Sequence, residues 1–157
     1  MDSDCLVKLT KAGAKEAVMR EMEVYIPHLV KKETVDEAKK RGYQDASIIE
    51  KNIDKRALQV VRHKEGGSVF LAVKGEKDVV SLYTSGGYDV VASDDRRFLR
   101  KLEAANIPYL TPATCIIYIY KNGRIVKSKA LEILENMKLF ISSEEYRIAR
   151  FYLEGKT

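Results

Sequence analysis

The stretch Tyr88-Asp89-Val90-Val91-Ala92-Ser93-Asp94-Asp95-Arg96-Arg97-Phe98-Leu99-Arg100-Lys101-Leu102-Glu103-Ala104-Ala105-Asn106 decides the fold class. Tyr88 to Ala92 is a short apolar run of strand character, and Ser93-Asp94-Asp95 is a polar stop. From Arg96 to Asn106, Phe98, Leu99, Leu102 and Ala105 recur at helical spacing and form one inward stripe. Ile107 to Leu110 reads as the next strand. Strands alternating with helices in this way imply a largely parallel sheet covered on both faces.

Working outward supports the same class. Towards the N-terminus, Asp4 to Lys11 and Ala14 to Met22 read as helices, and Val24-Tyr25-Ile26 as a strand. Pro27 suits the first turn of a helix running to about Arg41, with Gly42 placed to close it. Gln44 to Arg56 carries Ala46, Ile49 and Ile53 at helical spacing, and Leu58 to Val61 is strand-like. Gly66-Gly67 marks a break before Ser68 to Val73, where periodicity fits helix and strand equally. Glu76 to Tyr83 fits a helix that Gly86-Gly87 ends. Towards the C-terminus, Pro112 to Lys121, about Ser128 to Leu139, and Ser143 to Leu153 are helical. The expectation is one α/β domain over residues 1–157, with a central, mostly parallel sheet flanked by helices on both faces and a helical C-terminal segment.

Composition narrows the function. The 157 residues are 45% hydrophobic and 32% charged, which is globular and soluble in character. The net charge of +5 is compatible with a polyanionic partner without identifying one. Cys5 and Cys115 sit in apolar surroundings, with no metal-ligand spacing to each other or to His28 and His63, so neither a zinc site nor a disulfide scaffold is expected. The apolar run Ile116 to Tyr120 is too short to cross a bilayer, and the first residues lack a signal-peptide core. A cytoplasmic protein with no membrane association is expected.

In open parallel sheets, ligands bind beyond the carboxyl ends of the strands. The residues placed there are mostly acidic. Asp94 and Asp95 follow the Val90-Val91-Ala92 run, Glu33 lies two turns into the helix after Val24-Tyr25-Ile26, and Asp2 and Asp4 precede the first helix. Asp78 sits in the first turn of the helix leading to the Asp89 strand. Clustered carboxylates repel unless a cation neutralises them, and oxygen-only ligands suit Mg²⁺ or Mn²⁺, which can activate water against a phosphodiester. The plainer alternative is that Ser93, Asp94 and Asp95 cap the following helix and that Glu33 and Asp78 are solvated helix-face residues.

The ordered set resembles the PIN (PilT N-terminus) domain family over nearly the whole chain. Asp2-Ser3-Asp4-Cys5-Leu6-Val7 is similar to that family's opening, and Ile26-Pro27-His28-Leu29-Val30-Lys31-Lys32-Glu33 to the segment with its second acid. Gly75-Glu76-Lys77-Asp78 resembles the mid-chain helix that carries the third, with Asp78 the better-placed acid. Ser93-Asp94-Asp95-Arg96-Arg97-Phe98 resembles the Thr/Ser-x-Asp step of the fourth, with Asp95 the closer match. The resemblance implies Asp2, Glu33, Asp78 and Asp95 as ligands of Mg²⁺ or Mn²⁺ and as catalytic residues, with Asp94 beside them and Ser3, Asp4 and Ser93 in support. It implies RNA as the substrate of a metal-dependent endoribonuclease, often a homodimer, and in a toxin-type member an antitoxin protein as partner. One departure is that only Met1 precedes Asp2, where the family has a strand of several apolar residues.

Lys31, Lys32, Arg96 and Arg97 lie on the helices that carry or begin at the acids, and are the expected RNA contacts. Tyr43, Tyr83, Tyr88 and Tyr109 are candidates for base stacking. Three alternatives stay open: a non-catalytic PIN-like module that binds RNA or protein, a haloacid-dehalogenase-type phosphatase with Asp2 as nucleophile and Asp4 as acid, and, less favoured, a receiver-type domain.

Overall fold

A computed structural model describes residues 1–62 and 74–155. The Gly66-Gly67 break, the Ser68 to Val73 segment and His63 lie outside the described residues.

Asp2 opens helix α1 (Ser3–Lys11), its carboxylate accepting the Cys5 amide proton at 2.9 Å. The apolar positions of α1 place Cys5, Leu6 and Leu9 wholly inside. Helix α2 (Lys15–Glu21) follows Gly13, whose φ of +64° supplies the left-handed turn between them. Strand β1 (Val24–Pro27) leads at once into α3 (His28–Lys31), and Pro27, expected in the first turn of the helix, stands one residue ahead of it as the extended N-cap and last strand residue. The expected single helix to about Arg41 is present with an irregular middle. After α3 the chain widens into a π-helical segment (Lys32–Glu37) and tightens again as α4 (Ala38–Lys40). Helix α5 (Gln44–Asp54) and strand β2 (Leu58–Val61) complete the first half. Then come α6 (Lys74–Thr84), β3 (Val91–Ala92), α7 (Arg96–Ala104), β4 (Tyr109–Leu110), α8 (Pro112–Lys121), α9 (Lys127–Met137) and α10 (Ser143–Glu154).

The expectation of one central sheet needs correction. Among the described residues the strands form two separate parallel pairs, β1 with β2 and β3 with β4, in a mostly helical α/β fold. Met1 and Asp2 stand between the pairs. The Met1 amine donates to Tyr25 O at 2.9 Å and the Asp2 amide to Ala92 O at 2.9 Å. One hydrogen bond to each side bridges the pairs without building a ladder.

Strands β3 and β4 are also shorter than their sequences suggest. Asn106, at φ +52°, turns the chain while Ile107 N still bonds back to Leu102 O, so the segment joins β3 only from Pro108 onward. Residues 88–90 therefore have no ladder partner in β4. The three last helices pack on one another, and α8 and α9 also on α1, around a single core that includes Phe98, Ile116, Ile119, Leu134 and Met137. No helix of the described residues is long and apolar enough to cross a membrane.

Candidate acidic site at the start of helix α1

Residues from three distant parts of the chain meet at the N-terminus of α1. Asp2 points one carboxylate oxygen at the Cys5 amide and takes a hydrogen bond on the other from the Ser93 hydroxyl. Ser93 is fully buried at the end of β3, and its hydroxyl also accepts from the Asp95 amide at 3.2 Å. It thereby ties the Asp94-Asp95 turn to the first residues of the chain. Next along α1, the Ser3 hydroxyl donates to Glu33 Oε2 at 2.5 Å.

Glu33 lies in the π-helical segment, whose wider turn sets its side chains in different directions from those of a regular helix. Its carboxylate also abuts the start of α6: a Cβ built on Gly75 would stand 3.7 Å from Glu33 Oε1. Asp78 is about one turn further along α6, on roughly the same face as Gly75. Glu76, between them, is drawn to α7 by Lys101 at 2.7 Å. The structure thus gathers Asp2, Ser3, Glu33, Ser93 and the Asp94-Asp95 turn, and sets Asp78 one helical turn away.

The two neighbouring aspartates do different things. Asp95 caps α7, its Oδ1 accepting from the amides of Arg97 at 2.7 Å and Phe98 at 3.1 Å. It satisfies donors that would otherwise lack partners at the helix start. Asp94 instead pairs with the ammonium of Lys8 on α1. Sequence reading missed Lys8, because locally it is an ordinary helix lysine four residues after Asp4.

Electrostatically, Asp2 is the unusual group. Burial raises its carboxyl from an ordinary 3.8 to about 6, although the Ser93 hydroxyl, the Cys5 amide and the Met1 ammonium all favour the charged form. A desolvated carboxylate beside further acids is a site that a cation stabilises. The donor chemistry therefore suits a hard divalent ion. The side-chain grouping does not: among the described residues no three Asp, Glu, His or Cys side chains lie together so as to hold one metal. Asp2, Glu33, Asp94 and Asp95 are each engaged by a hydroxyl, an amide or an amine instead.

Of the expected RNA contacts, Arg96 and Arg97 are exposed at the start of α7, with Arg96 3.8 Å from Glu144. Lys31 and Lys32 are paired within their own helical stretch, with Asp36 at 2.6 Å and Glu37 at 3.9 Å. Among the tyrosines, Tyr43 is well exposed and Tyr88 packs edge-on against Tyr25, their ring centres 5.2 Å apart.

Comparison with known proteins agrees with this architecture. A family model described as a PIN domain matches residues 1–151, and the chain belongs to that family. Searches of curated proteins and of solved structures return no match. The match takes in Asp2 to Asp4 as part of a PIN domain and leaves the phosphatase alternative without support.

Proposed function

We propose that this protein is an endoribonuclease that uses the acids around Asp2 and a Mg²⁺ or Mn²⁺ ion to cut RNA phosphodiesters. The observation that carries the reading is the convergence on α1: Asp2 meets Ser93, and Ser3 meets Glu33, across 91 and 30 residues of chain respectively. Family membership supports it, since PIN domains are typically nucleases. The divalent ion would supply charge compensation and an activated water when bound. What the chain itself contributes is positional. Ser93 and Ser3 fix the carboxylates of Asp2 and Glu33, Asp95 fixes the start of α7, and that helix presents Arg96 and Arg97 to solvent at the edge of the site, where they can contact backbone phosphates.

The test is cleavage of labelled single-stranded RNA with Mn²⁺ or Mg²⁺, comparing wild type with Asp2→Asn, Glu33→Gln and Asp95→Asn. These replacements keep shape and most hydrogen bonding while removing charge. Metal-dependent cleavage lost in Asp2→Asn and Glu33→Gln supports the reading, and equal cleavage by wild type and all three variants refutes it. One observation favours a second reading, a non-catalytic module: among the described residues the acids are not grouped for one ion. Salt-sensitive RNA binding that survives in every variant, with no cleavage by wild type at any metal concentration, would select it.

A further inference from the structure

We infer that the recess beside Glu33 seats one unpaired nucleotide of the RNA strand, its base stacked on Tyr43 and its phosphate held by Arg41. The inference rests on the nuclease reading and names the form of RNA the site takes, a single strand. The recess has a volume of about 680 Å³, within the range of small-ligand sites. It adjoins the acidic site directly, because Ser3 and Glu33, whose side chains meet at 2.5 Å, are part of its lining.

Arg41, Gly42 and Tyr43 form the turn that closes α4, and they are held there from both ends. Gly42 takes the left-handed conformation at φ +76°, its amide bonds to Lys39 O at 3.0 Å, and the Tyr43 amide bonds to Ala38 O at 3.0 Å. That pair of bonds is the Schellman closure of a helix. On the other side, the Ala46 amide bonds to Tyr43 O at 3.3 Å as α5 begins. The backbone beneath Arg41 and Tyr43 is therefore fixed, and binding has only their side chains to order.

Both residues are exposed and line the recess, together with Leu139 and Phe140. Tyr43 is 58% exposed and Leu139 87%. An aromatic ring and an aliphatic side chain left in water around one recess offer a surface to a flat, apolar face. Every base has such a face, and only an unpaired base can present it. The charges suit a nucleotide as well. The recess acids Glu37 and Asp45 have lysines at 3.9 and 4.0 Å, whereas Arg41 makes no ion pair among the described residues and is available to a phosphate. The recess acids with no lysine against them among the described residues, Asp4 and Glu33, belong to the acidic site itself.

The experiment measures binding of fluorescein-labelled oligoadenylate to the full chain by anisotropy in EDTA, so that no cleavage intervenes. A ribose-phosphate strand of the same length with abasic residues serves as the comparison, and circular dichroism verifies folding of each variant. Wild type should bind oligoadenylate about tenfold more tightly than the abasic strand. Tyr43→Ala should lose about that factor on oligoadenylate and little on the abasic strand, and Tyr43→Phe should restore it. Arg41→Ala should weaken both strands and reduce the slope of log affinity against log salt by about 0.7. Equal affinity of wild type for the two strands, or a folded Tyr43→Ala that binds oligoadenylate as wild type does, overturns the proposal and leaves the nuclease reading standing. If wild type cleaves RNA with Mn²⁺ but binds neither strand measurably in EDTA, the contrast between wild type and Tyr43→Ala is read in KM, and equal KM values overturn the proposal. Absence of both binding and Mn²⁺-dependent cleavage overturns the nuclease reading and this proposal with it.

Discussion

Replacing Asp2 with Asn should make the metal-free protein more stable at neutral pH, and the gain should depend on pH in a defined window. In Asp2→Asn the amide oxygen can still accept from the Cys5 amide and the amide nitrogen can donate to the Ser93 oxygen, so the cap and the link to β3 survive, the latter with its direction reversed, while the charge is lost. In the wild type, burial lifts the Asp2 carboxyl from 3.8 to about 6, so the folded protein holds this proton more tightly than the unfolded chain. Such a group favours folding while its proton is on, and the advantage is lost as pH rises through about 6. A displacement of that size corresponds to about 3 kcal/mol, an upper figure for a half-buried group.

The other carboxylates obscure this trend in wild type alone, since paired acids titrate in the opposite sense. The difference between variant and wild type isolates it. Urea unfolding in EDTA at a series of pH values should show the stability gap in favour of Asp2→Asn widening by about 2–3 kcal/mol between pH 4 and pH 6.5, then staying level. A gap that is flat with pH, or that narrows as pH rises, would refute the claim that Asp2 is held charged at a cost.

Three further outcomes follow from other parts of the structure. Asp95→Ala should lose about 1 kcal/mol by urea unfolding through loss of the α7 cap, whereas Asp95→Asn should lose only a few tenths because Asn caps equally well. Phe98→Ala, at a fully buried position in the core, should cost about 3–5 kcal/mol in the same assay. If Arg96 and Arg97 each contact a phosphate, the double Ala variant should reduce the slope of log affinity against log salt by about 1.4 in titrations with single-stranded RNA, and an unchanged slope would remove both from the interface.

The helices were the most legible part of the fold because each carries its own signals. Pro112 behind Thr111, Ser142 ahead of Ser143, and the apolar spacing of Phe98 and Leu102 mark starts and inner faces locally, and the observed helices begin where those signals stand. The sheet was not legible in the same way. Val90, Val91 and Ala92 announce a strand, but how many residues pair depends on what lies alongside, and that is settled by the Asn106 turn and by the two residues Met1 and Asp2.

The acids show the same limit at finer scale. Asp94 and Asp95 are indistinguishable by position, and the family pattern favours Asp95. In the structure Asp95 faces the amides of its own helix and Asp94 faces Lys8, so adjacent carboxylates acquire separate work. Lys8 itself was invisible for a physical reason: with Asp4 one turn before it, it has the spacing of a routine helix-surface pair, and its contact with Asp94 exists only once the chain has closed on itself.

The seating of Met1 governs how the protein can be prepared. Its amine is withdrawn from water, which lowers its proton affinity, and it points at Tyr25 rather than outward. A residue joined ahead of it would replace that ammonium by an amide in the contact with Tyr25. Beside it opens a cleft of about 330 Å³ lined by Val24, Tyr25 and Tyr88 to Val91 among others. Preparations with residues added ahead of Met1 should be compared with untagged material before any lack of activity is attributed to the acids.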